Sequence, residues 1–220
     1  MHTRVPKQAI KWDRLQGRTY QPGSANTGVR DWSNCQRCRL AFTRKRVAII
    51  REGGEPGHTK LLFIGEAPGE LEDATGYPFV GIAGKILDGI LEFVPYQFEY
   101  IITNRVGCRP VDVYFLDNKI EIEDIDFNNL KEGFDYVLDN YNRDPTTPEI
   151  KACERHIDEI ISTFNPDGIV CLGKIAATYE TRLPKLKLLH PAFIARMEYK
   201  LITTLHEARK LTEFIERVMK

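Results

Sequence analysis

Four carboxylates lie within one glycine- and proline-containing stretch, Gly65-Glu-Ala-Pro-Gly-Glu-Leu-Glu-Asp73. A second stretch of the same character, Gly76-Tyr-Pro-Phe-Val-Gly-Ile-Ala-Gly84, follows at once. Connectors between helices and strands usually run about 2 to 6 residues, so a connector does not explain this length. The stretch contains no Lys or Arg, and its carboxylates would repel a phosphate group. It therefore predicts a ligand site of another kind.

Cysteine spacing gives a second candidate centre. The chain has five cysteines, and Cys35-x-x-Cys38 is a chelating pair. With Cys108 and Cys153 it makes four candidate thiolate ligands, whereas Cys171, inside an apolar run, is expected to be a small buried hydrophobe. Metal binding or redox chemistry is favoured over disulfides in a cytosolic protein. From spacing alone the four thiols fit zinc, an iron–sulfur cluster or unrelated free cysteines.

Short apolar strands precede the polar residues that are suited to chemistry. Glu66, Asn104, Gly173 and His190 each come at or near the end of such a run, and the runs are Leu61–Ile64, Tyr100–Thr103, Gly168–Leu172 and Lys187–Leu189. Strands that alternate with helices predict an α/β fold, here a three-layer α/β/α sandwich with a short, mainly parallel central sheet. Because parallel strands end at one edge, these side chains are expected to converge there.

Helices, a turn and an insertion complete the predicted organisation of one domain over residues 1–220. Apolar spacing predicts helices over Lys85–Phe93, from Thr147 onward and from about Thr204 to the end. A further helix is predicted to open at Gly173. The glycine-rich segment 52–57 is predicted to be a turn. Residues 111–146 are interpreted as an acidic insertion of uncertain order.

Charge is balanced overall but unevenly distributed. The net charge is zero, yet residues 1–60 carry thirteen Lys or Arg against four Asp or Glu, and residues 111–150 carry three against eleven. Two solvated faces would explain this, and a basic amino-terminal face would also suit DNA. No run reaches the length of a membrane span, and residues 1–30 lack the apolar core of a signal peptide. We expect a cytoplasmic protein with no membrane association, and a monomer.

Taken together, the motifs resemble the family 4 uracil-DNA glycosylases, the iron–sulfur branch of the uracil-DNA glycosylase superfamily. The resemblance runs in order along nearly the whole chain and leaves about residues 111–146 unmatched. Phage-like relatives also carry insertions of this kind. The matching motifs are Cys35-x-x-Cys38-x-Leu40, Gly65-Glu-Ala-Pro-Gly69 with Glu72-Asp73, Gly76-Tyr-Pro-Phe-Val-Gly81, Ala83-Gly84, Ile102-Thr-Asn104, Cys108-Arg-Pro110, Pro148-Glu149 leading to Cys153, Leu172-Gly173 and His190-Pro191.

The resemblance implies DNA repair by excision of uracil from single- or double-stranded DNA, without a nucleotide cofactor. A flipped uracil would stack on Phe79, lie against Ala67 and be read by the side-chain amide of Asn104. His190 would stabilise negative charge on the departing base. Either Glu66 or Glu72 would position water, and the sequence does not separate them.

The resemblance also implies a [4Fe–4S] cluster on Cys35, Cys38, Cys108 and Cys153, acting as a structural staple. The chain departs from the family in the 44 residues between Cys108 and Cys153. It departs again after the His-Pro pair, where it continues Ala192-Phe-Ile-Ala-Arg196. His190 and Pro191 are expected to begin a loop that contacts DNA, with Phe193 as a wedge between bases and Arg196 on a phosphate.

Two other functions are compatible with parts of the sequence. One is a non-catalytic or retargeted DNA-binding member of the same superfamily, against which Glu66, Asn104 and His190 argue because all three are present. The other is a zinc-stabilised nucleotide-binding α/β protein, against which the acidic loop argues. A uracil-excision assay distinguishes the first alternative from a glycosylase, and metal analysis distinguishes the second.

Overall fold

The computed structural model describes residues 32–55, 59–115 and 136–219, and within these it forms a central sheet between helices. The strands are β1 (Arg51–Gly54), β2 (Lys60–Gly65), β3 (Glu99–Asn104), β4 (Val111–Phe115), β5 (Tyr136–Asn142), β6 (Gly168–Leu172) and β7 (Lys185–Leu188). The helices are α1 (Leu40–Thr43), α2 (Glu70–Thr75), α3 (Ile82–Glu92), α4 (Thr147–Phe164), α5 (Pro191–Ala195) and α6 (Lys200–Val218), with a 3-10 turn over Ala176–Thr178.

The central sheet has five strands in the order β1-β3-β2-β6-β7. Strands β3, β2, β6 and β7 are mutually parallel, and β1 pairs antiparallel with β3 at one edge. The chain passes from β2 to β3 on one side and later places β6 on the other side of β2. Ligands in such sheets bind in the crevice beyond the carboxyl ends of the strands at this reversal. The predicted parallel sheet is confirmed.

Side-chain alternation along β2 explains the three layers. Leu61 and Phe63 face a core shared with α3, α5 and α6, whereas Leu62 and Ile64 face the opposite core, which contains α4. All four are fully buried, as expected for a central parallel strand with both faces covered. The helices therefore lie on both faces, and the predicted α/β/α sandwich is confirmed.

Helix α4 forms where its residue types predict a start. Pro148 lies in the first turn, and the Glu149 carboxylate accepts the N–H of Thr146 at 2.8 Å. A carboxylate in this place satisfies a donor that the helix itself leaves unpaired. Asn165 ends the helix in the left-handed conformation. This helix carries Cys153, so its start determines where that thiol lies.

The acidic insertion contains an antiparallel hairpin, which the sequence did not predict. Strands β4 and β5 form it, with Val111 opposite Asn142, and residues 116–135 lie outside the described part of the chain. The Asn142 Nδ2 donates to the Pro68 carbonyl at 2.9 Å. One end of the insertion is thus fastened to the loop that follows β2.

Three local predictions are corrected. Residues 52–54 of the predicted turn belong to β1, where a Cβ on Gly53 would lie 2.4 Å from the Tyr100 ring. Glycine there serves a close approach of β3, not a reversal of the chain. Helix α6 begins at Lys200, four residues before the predicted start, and a 3-10 turn follows Gly173 instead of a regular helix. Among the described residues, no helix is long and apolar enough to cross a membrane.

Candidate active site

The carboxyl ends of the parallel strands align at one edge of the sheet. Gly65 is the cross-strand partner of Asn104, and Leu172 is the partner of Leu188. Glu66 follows the first of these strands and His190 comes two residues after the last. The structure therefore brings the predicted strand-end residues to the same edge.

Asn104 ends β3 with its side chain inside the protein. It is 1% exposed, and its Oδ1 is buried without a hydrogen-bond partner. Its main-chain carbonyl lies 3.0 Å from the Nε2 of His156, a fully buried residue of α4. Buried polar atoms are nearly always satisfied, so an unpartnered acceptor calls for a ligand that donates to it. The backbone of Asn104 is held in place while its side-chain oxygen remains available.

Gly65 makes room for both Asn104 and Phe79. A Cβ at this position would lie 2.3 Å from Asn104 Oδ1 and 2.5 Å from the Phe79 ring. Any side chain here would collide with one or both groups. The absence of a side chain at the end of β2 therefore allows an amide and an aromatic ring to share one site.

Phe79 is held in an unusual backbone conformation. Its φ is +56°, in the left-handed region that phenylalanine rarely adopts. Arg51 donates to its carbonyl, and a Cβ on Gly84 would collide with the same carbonyl. The ring is 5% exposed and its centroid lies 6.1 Å from that of the His190 ring. Such strain persists only where the surroundings fix it, and it often marks a functional site.

Glu66 is half-buried and has a carboxyl neighbour. Burial, followed by the charge of Asp144 and a hydrogen bond to it, raises the pKa of Glu66 to about 7. Asp144 is exposed and comes two residues after β5. A carboxyl group that changes charge near neutral pH can act as a general base.

Glu72 has quite different surroundings. It is 8% exposed, and its Oε1 accepts the N–H groups of Val80 at 2.9 Å and Gly81 at 2.8 Å. Its Oε2 accepts the N–H of Gly69 at 3.1 Å. Glu66 and Glu72 are equal candidates by sequence, but the structure distinguishes them. Glu72 binds three backbone N–H groups and joins both ends of the loop around Phe79.

His190 caps a short helix and keeps one ring nitrogen for other partners. Its Nδ1 accepts the N–H of Ala192 at 3.2 Å, so the neutral ring carries its proton on Nε2. Burial, and next the charge of Arg196, lower the pKa of His190. A cross-strand neighbour of this site, Gly173, has a φ of +94°, and a Cβ there would lie 3.0 Å from the His190 Cβ. The structure thus presents a neutral imidazole that can donate from Nε2.

The segment after His190 differs from the prediction. The sequence predicted a loop from Pro191, and the structure has helix α5 over Pro191–Ala195 because proline suits the first helical position. Pro191 is buried, whereas Phe193 is 48% exposed and Arg196 is exposed. Any surface contact of this segment therefore involves the latter two.

Three of the four predicted thiol ligands lie in one cluster beside the site, and the fourth, Cys35, is half-buried outside that cluster. Cys38, Cys108 and Cys153 share an apolar cluster, and Ala67 packs against the same cluster. A hydrogen bond between Cys38 and Cys153 lowers the pKa of Cys38 to about 7. Burial raises the pKa of Cys108 to about 12, and the charges of Cys38 and Cys35 contribute. Cys171 lies apart from these thiols, buried in the core between the sheet and α4, as predicted.

The guanidinium of Arg44 lies next to these thiols. The Nη2 of Arg44 donates to the Ser33 carbonyl at 3.2 Å, while its Nη1 is buried without a partner. The charge of Arg44 acts on both Cys38 and Cys108. Among the described residues, no three or more His, Cys, Asp or Glu side chains form a group suited to a single metal ion.

Sequence reasoning missed several residues that shape the site. Asp144 and Asn142 lie at the end of the acidic insertion, where nothing in their spacing connects them with Glu66. His156 contacts the Asn104 carbonyl because of how α4 packs on the sheet, which the sequence alone does not show. Only the glycine at the end of β2 gave a usable signal, because glycine allows close approach.

Comparison with known proteins places the chain in a family. The sequence profile of the uracil DNA glycosylase superfamily matches residues 52–217. The chain is 33% identical over 156 residues to a type-4 uracil-DNA glycosylase of Saccharolobus solfataricus, covering 70% of this chain and 57% of the relative. Proteins of the same name from Archaeoglobus fulgidus and Thermotoga maritima are 32% and 34% identical over 69% and 66% of the chain, and 60% and 59% of their own lengths. The chain thus spans less than two thirds of these relatives, and it belongs to the uracil DNA glycosylase superfamily.

Proposed function

We propose that this protein excises uracil from DNA by hydrolysing the bond between the base and the sugar. The observation that carries the proposal is the buried, unpartnered Oδ1 of Asn104 next to the Phe79 ring. Uracil presents a carbonyl acceptor beside an N–H donor, and one side-chain amide matches both. The names of the related type-4 uracil-DNA glycosylases agree with this reading.

A base enters such a site only after it leaves the helical stack, which costs a few kcal/mol. Stacking on the Phe79 ring would offset about 1–3 kcal/mol of that cost. The left-handed backbone at Phe79 and the close approach at Gly65 keep the ring beside Asn104. Base and amide would then meet in one plane with little rearrangement.

His190 and Glu66 have complementary roles in bond cleavage. Departure of uracil places negative charge on the base, and a neutral imidazole donating from Nε2 would stabilise it. Glu66 would position the attacking water and accept its proton, since its pKa of about 7 suits a base near neutral pH. Glu72 would hold the loop in shape and take no part in proton transfer, because its oxygens are bound to backbone N–H groups.

The thiol group is proposed to hold a [4Fe–4S] cluster through Cys35, Cys38, Cys108 and Cys153. The donor set fits, because Cys38, Cys108 and Cys153 share an apolar cluster, Cys35 is near enough for its charge to act on Cys108, and the Nη1 of Arg44, buried without a partner, would face an anionic group. A cluster of this kind supplies structural cross-linking here and no step of hydrolysis. It would tie the segment before α1 to α4.

Substrate DNA is proposed to lie over α5. Phe193 would enter between bases and Arg196 would contact a phosphate, since both are exposed at this edge. We propose single- and double-stranded DNA as substrates, because neither contact requires a paired strand.

One assay tests the proposal. The protein is incubated with an oligonucleotide containing a single uracil, and hot alkali then cuts any abasic site. Cleavage at uracil, with none at thymine in the same sequence, is expected. Absence of cleavage with protein that holds its full complement of iron would overturn the proposal in favour of a non-catalytic DNA-binding protein.

A further inference from the structure

Arg51 is a buried cation on the edge strand β1. Its side chain is only 6% exposed, and its cross-strand partner in β3 is Ile102. Residues directly opposite each other in an antiparallel pair lie on the same face of the sheet. Ile102 belongs to the core that the sheet shares with α3. The guanidinium of Arg51 therefore lies beneath α3, in a layer made largely of apolar side chains.

The two terminal nitrogens of Arg51 bind two different elements. Nη1 donates to the main-chain carbonyl of Phe79, and Nη2 donates to the Asp88 carboxylate on α3. A buried cation is costly unless it is paired, and Asp88 supplies the opposite charge. The planar guanidinium reaches both partners at once, which a lysine ammonium at the end of a single stem does less well. One side chain thus ties β1 to α3 and to the loop that carries Phe79.

The peptide group between Phe79 and Val80 is held at both of its ends. Its oxygen accepts from Arg51, and its N–H, which belongs to Val80, donates to Glu72 Oε1 at 2.9 Å. A Cβ on Gly84 would collide with the same oxygen, so α3 lies directly against it. Because a peptide group is planar and rigid, holding both ends restricts rotation about the backbone bonds of Phe79.

Phe79 depends on this restraint because of its backbone conformation. Its φ of +56° is unfavourable for a residue with a large side chain, and such a conformation persists only where the surroundings impose it. The direction of the Cα–Cβ bond follows from the backbone, so the place of the ring beside Asn104 follows from it too. Loss of the Arg51 contact would let the backbone relax and the ring turn.

We propose that Arg51 is a positioning residue for the flipped base. By holding the Phe79 carbonyl, it keeps the Phe79 ring in the orientation on which uracil stacks. This inference rests on the proposed function, because the ring is the proposed stacking surface. Arg51 acts through the ring and takes no part in bond cleavage, and Asp88 supports it by orienting the guanidinium.

The first test is a double-mutant cycle on the steady-state constants of uracil excision. Arg51→Met removes the hydrogen bonds of the guanidinium and keeps an unbranched apolar stem. We expect KM to rise about tenfold with kcat nearly unchanged, because stacking serves capture of the base. In a Phe79→Ala background the same substitution should raise KM no further, since no ring is left to position. Equal rises in KM with and without the ring would overturn the proposal.

Two milder variants and a control accompany this cycle. Arg51→Lys keeps the charge and can reach one partner, so its KM should lie between those of the unaltered protein and Arg51→Met. Asp88→Asn keeps an oxygen that accepts from the guanidinium but loses the charge, so it should raise KM less. Gly168→Ala strains the start of β6 away from the site and should leave KM unchanged. An equal rise in KM in Gly168→Ala would show that lost stability alone explains the effect and would overturn the proposal.

A second measurement does not depend on activity. Fluorine-19 NMR of protein labelled with 4-fluorophenylalanine follows the Phe79 ring, whose signal is identified by its disappearance in Phe79→Leu. In Arg51→Met the Phe79 signal should move or broaden, while the signal of Phe164, in the core between the sheet and α4, stays in place. This result supports the positioning role even if uracil is not excised, in which case the proposed function alone fails.

An unchanged Phe79 signal in folded Arg51→Met overturns the proposal whatever the activity. If Arg51→Met does not fold, Arg51→Lys and Asp88→Asn decide in its place. A moved or broadened Phe79 signal in these two variants supports the positioning role, and an unchanged signal in both overturns it.

Discussion

At the scale of single residues, two glutamates of one loop differ in what their oxygens bind. Glu72 accepts three backbone N–H groups, and removal of its carboxylate leaves buried donors unpaired. We expect Glu72→Ala to lower the free energy of unfolding by about 3 kcal/mol. Glu66→Gln should leave that free energy nearly unchanged while it abolishes excision. Urea denaturation and the oligonucleotide assay measure the two effects, and the reverse pattern would exchange the two roles.

The most specific prediction at the scale of single residues concerns Asn104. Asn104→Ala should reduce excision by about a hundredfold or more, because two hydrogen bonds to a buried base are lost. Phe79→Ala should chiefly weaken capture of the flipped base and so raise KM. Steady-state kinetics separate these effects. Full activity in Asn104→Ala would show that the base is read elsewhere.

At the scale of elements, the missing side chain at the end of β2 leaves the space that Asn104 and Phe79 occupy. Gly65→Ala places a methyl group within 2.5 Å of the Phe79 ring and even nearer to Asn104 Oδ1. We expect it to abolish excision. Gly168→Ala is the matched control, because its methyl group would press on Phe214 at the start of β6, away from the site. It should lower stability while the folded fraction keeps its activity, and equal losses of activity in both variants would contradict the steric explanation.

The start of α4 predicts a dependence of stability on pH. Burial of Glu149 disfavours its charge, but hydrogen bonds from Arg143 and Arg39 outweigh that and lower its pKa to about 2. Its folded pKa lies below the ordinary 4.5, so its stabilisation is complete above pH 4.5 and is lost as pH falls toward 2. The contribution is roughly 3 kcal/mol. Glu149→Gln should remove this component from the unfolding free energy at pH 6, and an unchanged pH profile would contradict it.

The sequence predicts a helix or strand correctly where a single residue pattern is enough to determine it. Apolar strands followed by Glu66, Asn104 and His190 were enough to predict a parallel sheet and the edge at which these three residues meet, because parallel strands end on the same side of the sheet. The β4–β5 hairpin was not predictable, since its residues are acidic and aromatic without a clean alternation. The effect of Asp144 on Glu66 depends on that hairpin, so it could not be predicted either. The turn predicted over residues 52–57 was wrong at Gly53, because a glycine needed for close packing cannot be distinguished by sequence from a glycine in a turn.

At the scale of the whole molecule, the thiol group links distant parts of the chain. The resemblance to the uracil-DNA glycosylase superfamily is confirmed. The [4Fe–4S] cluster stays a proposal, and the visible absorption of the protein tests it. Cys108→Ser should yield protein that lacks the visible absorption of an iron–sulfur cluster and melts at a lower temperature. Cys171→Ala is the control, because that thiol lies in a different apolar cluster from Cys38, Cys108 and Cys153. This variant should keep the visible absorption. Colourless unaltered protein with stoichiometric zinc would refute the cluster.

The paired ends of the β4–β5 hairpin have a practical consequence for labelling. The chain leaves the fold at Val111 and returns at its cross-strand neighbour Asn142. Lengthening a loop whose ends already meet costs only about 0.6 kcal/mol for each doubling. A fluorescent tag or peptide spliced between these strands would therefore cost the fold little stability. Because Asn104, Phe79 and Glu66 would stay unaltered, such a tagged protein could be used to measure the proposed binding of DNA.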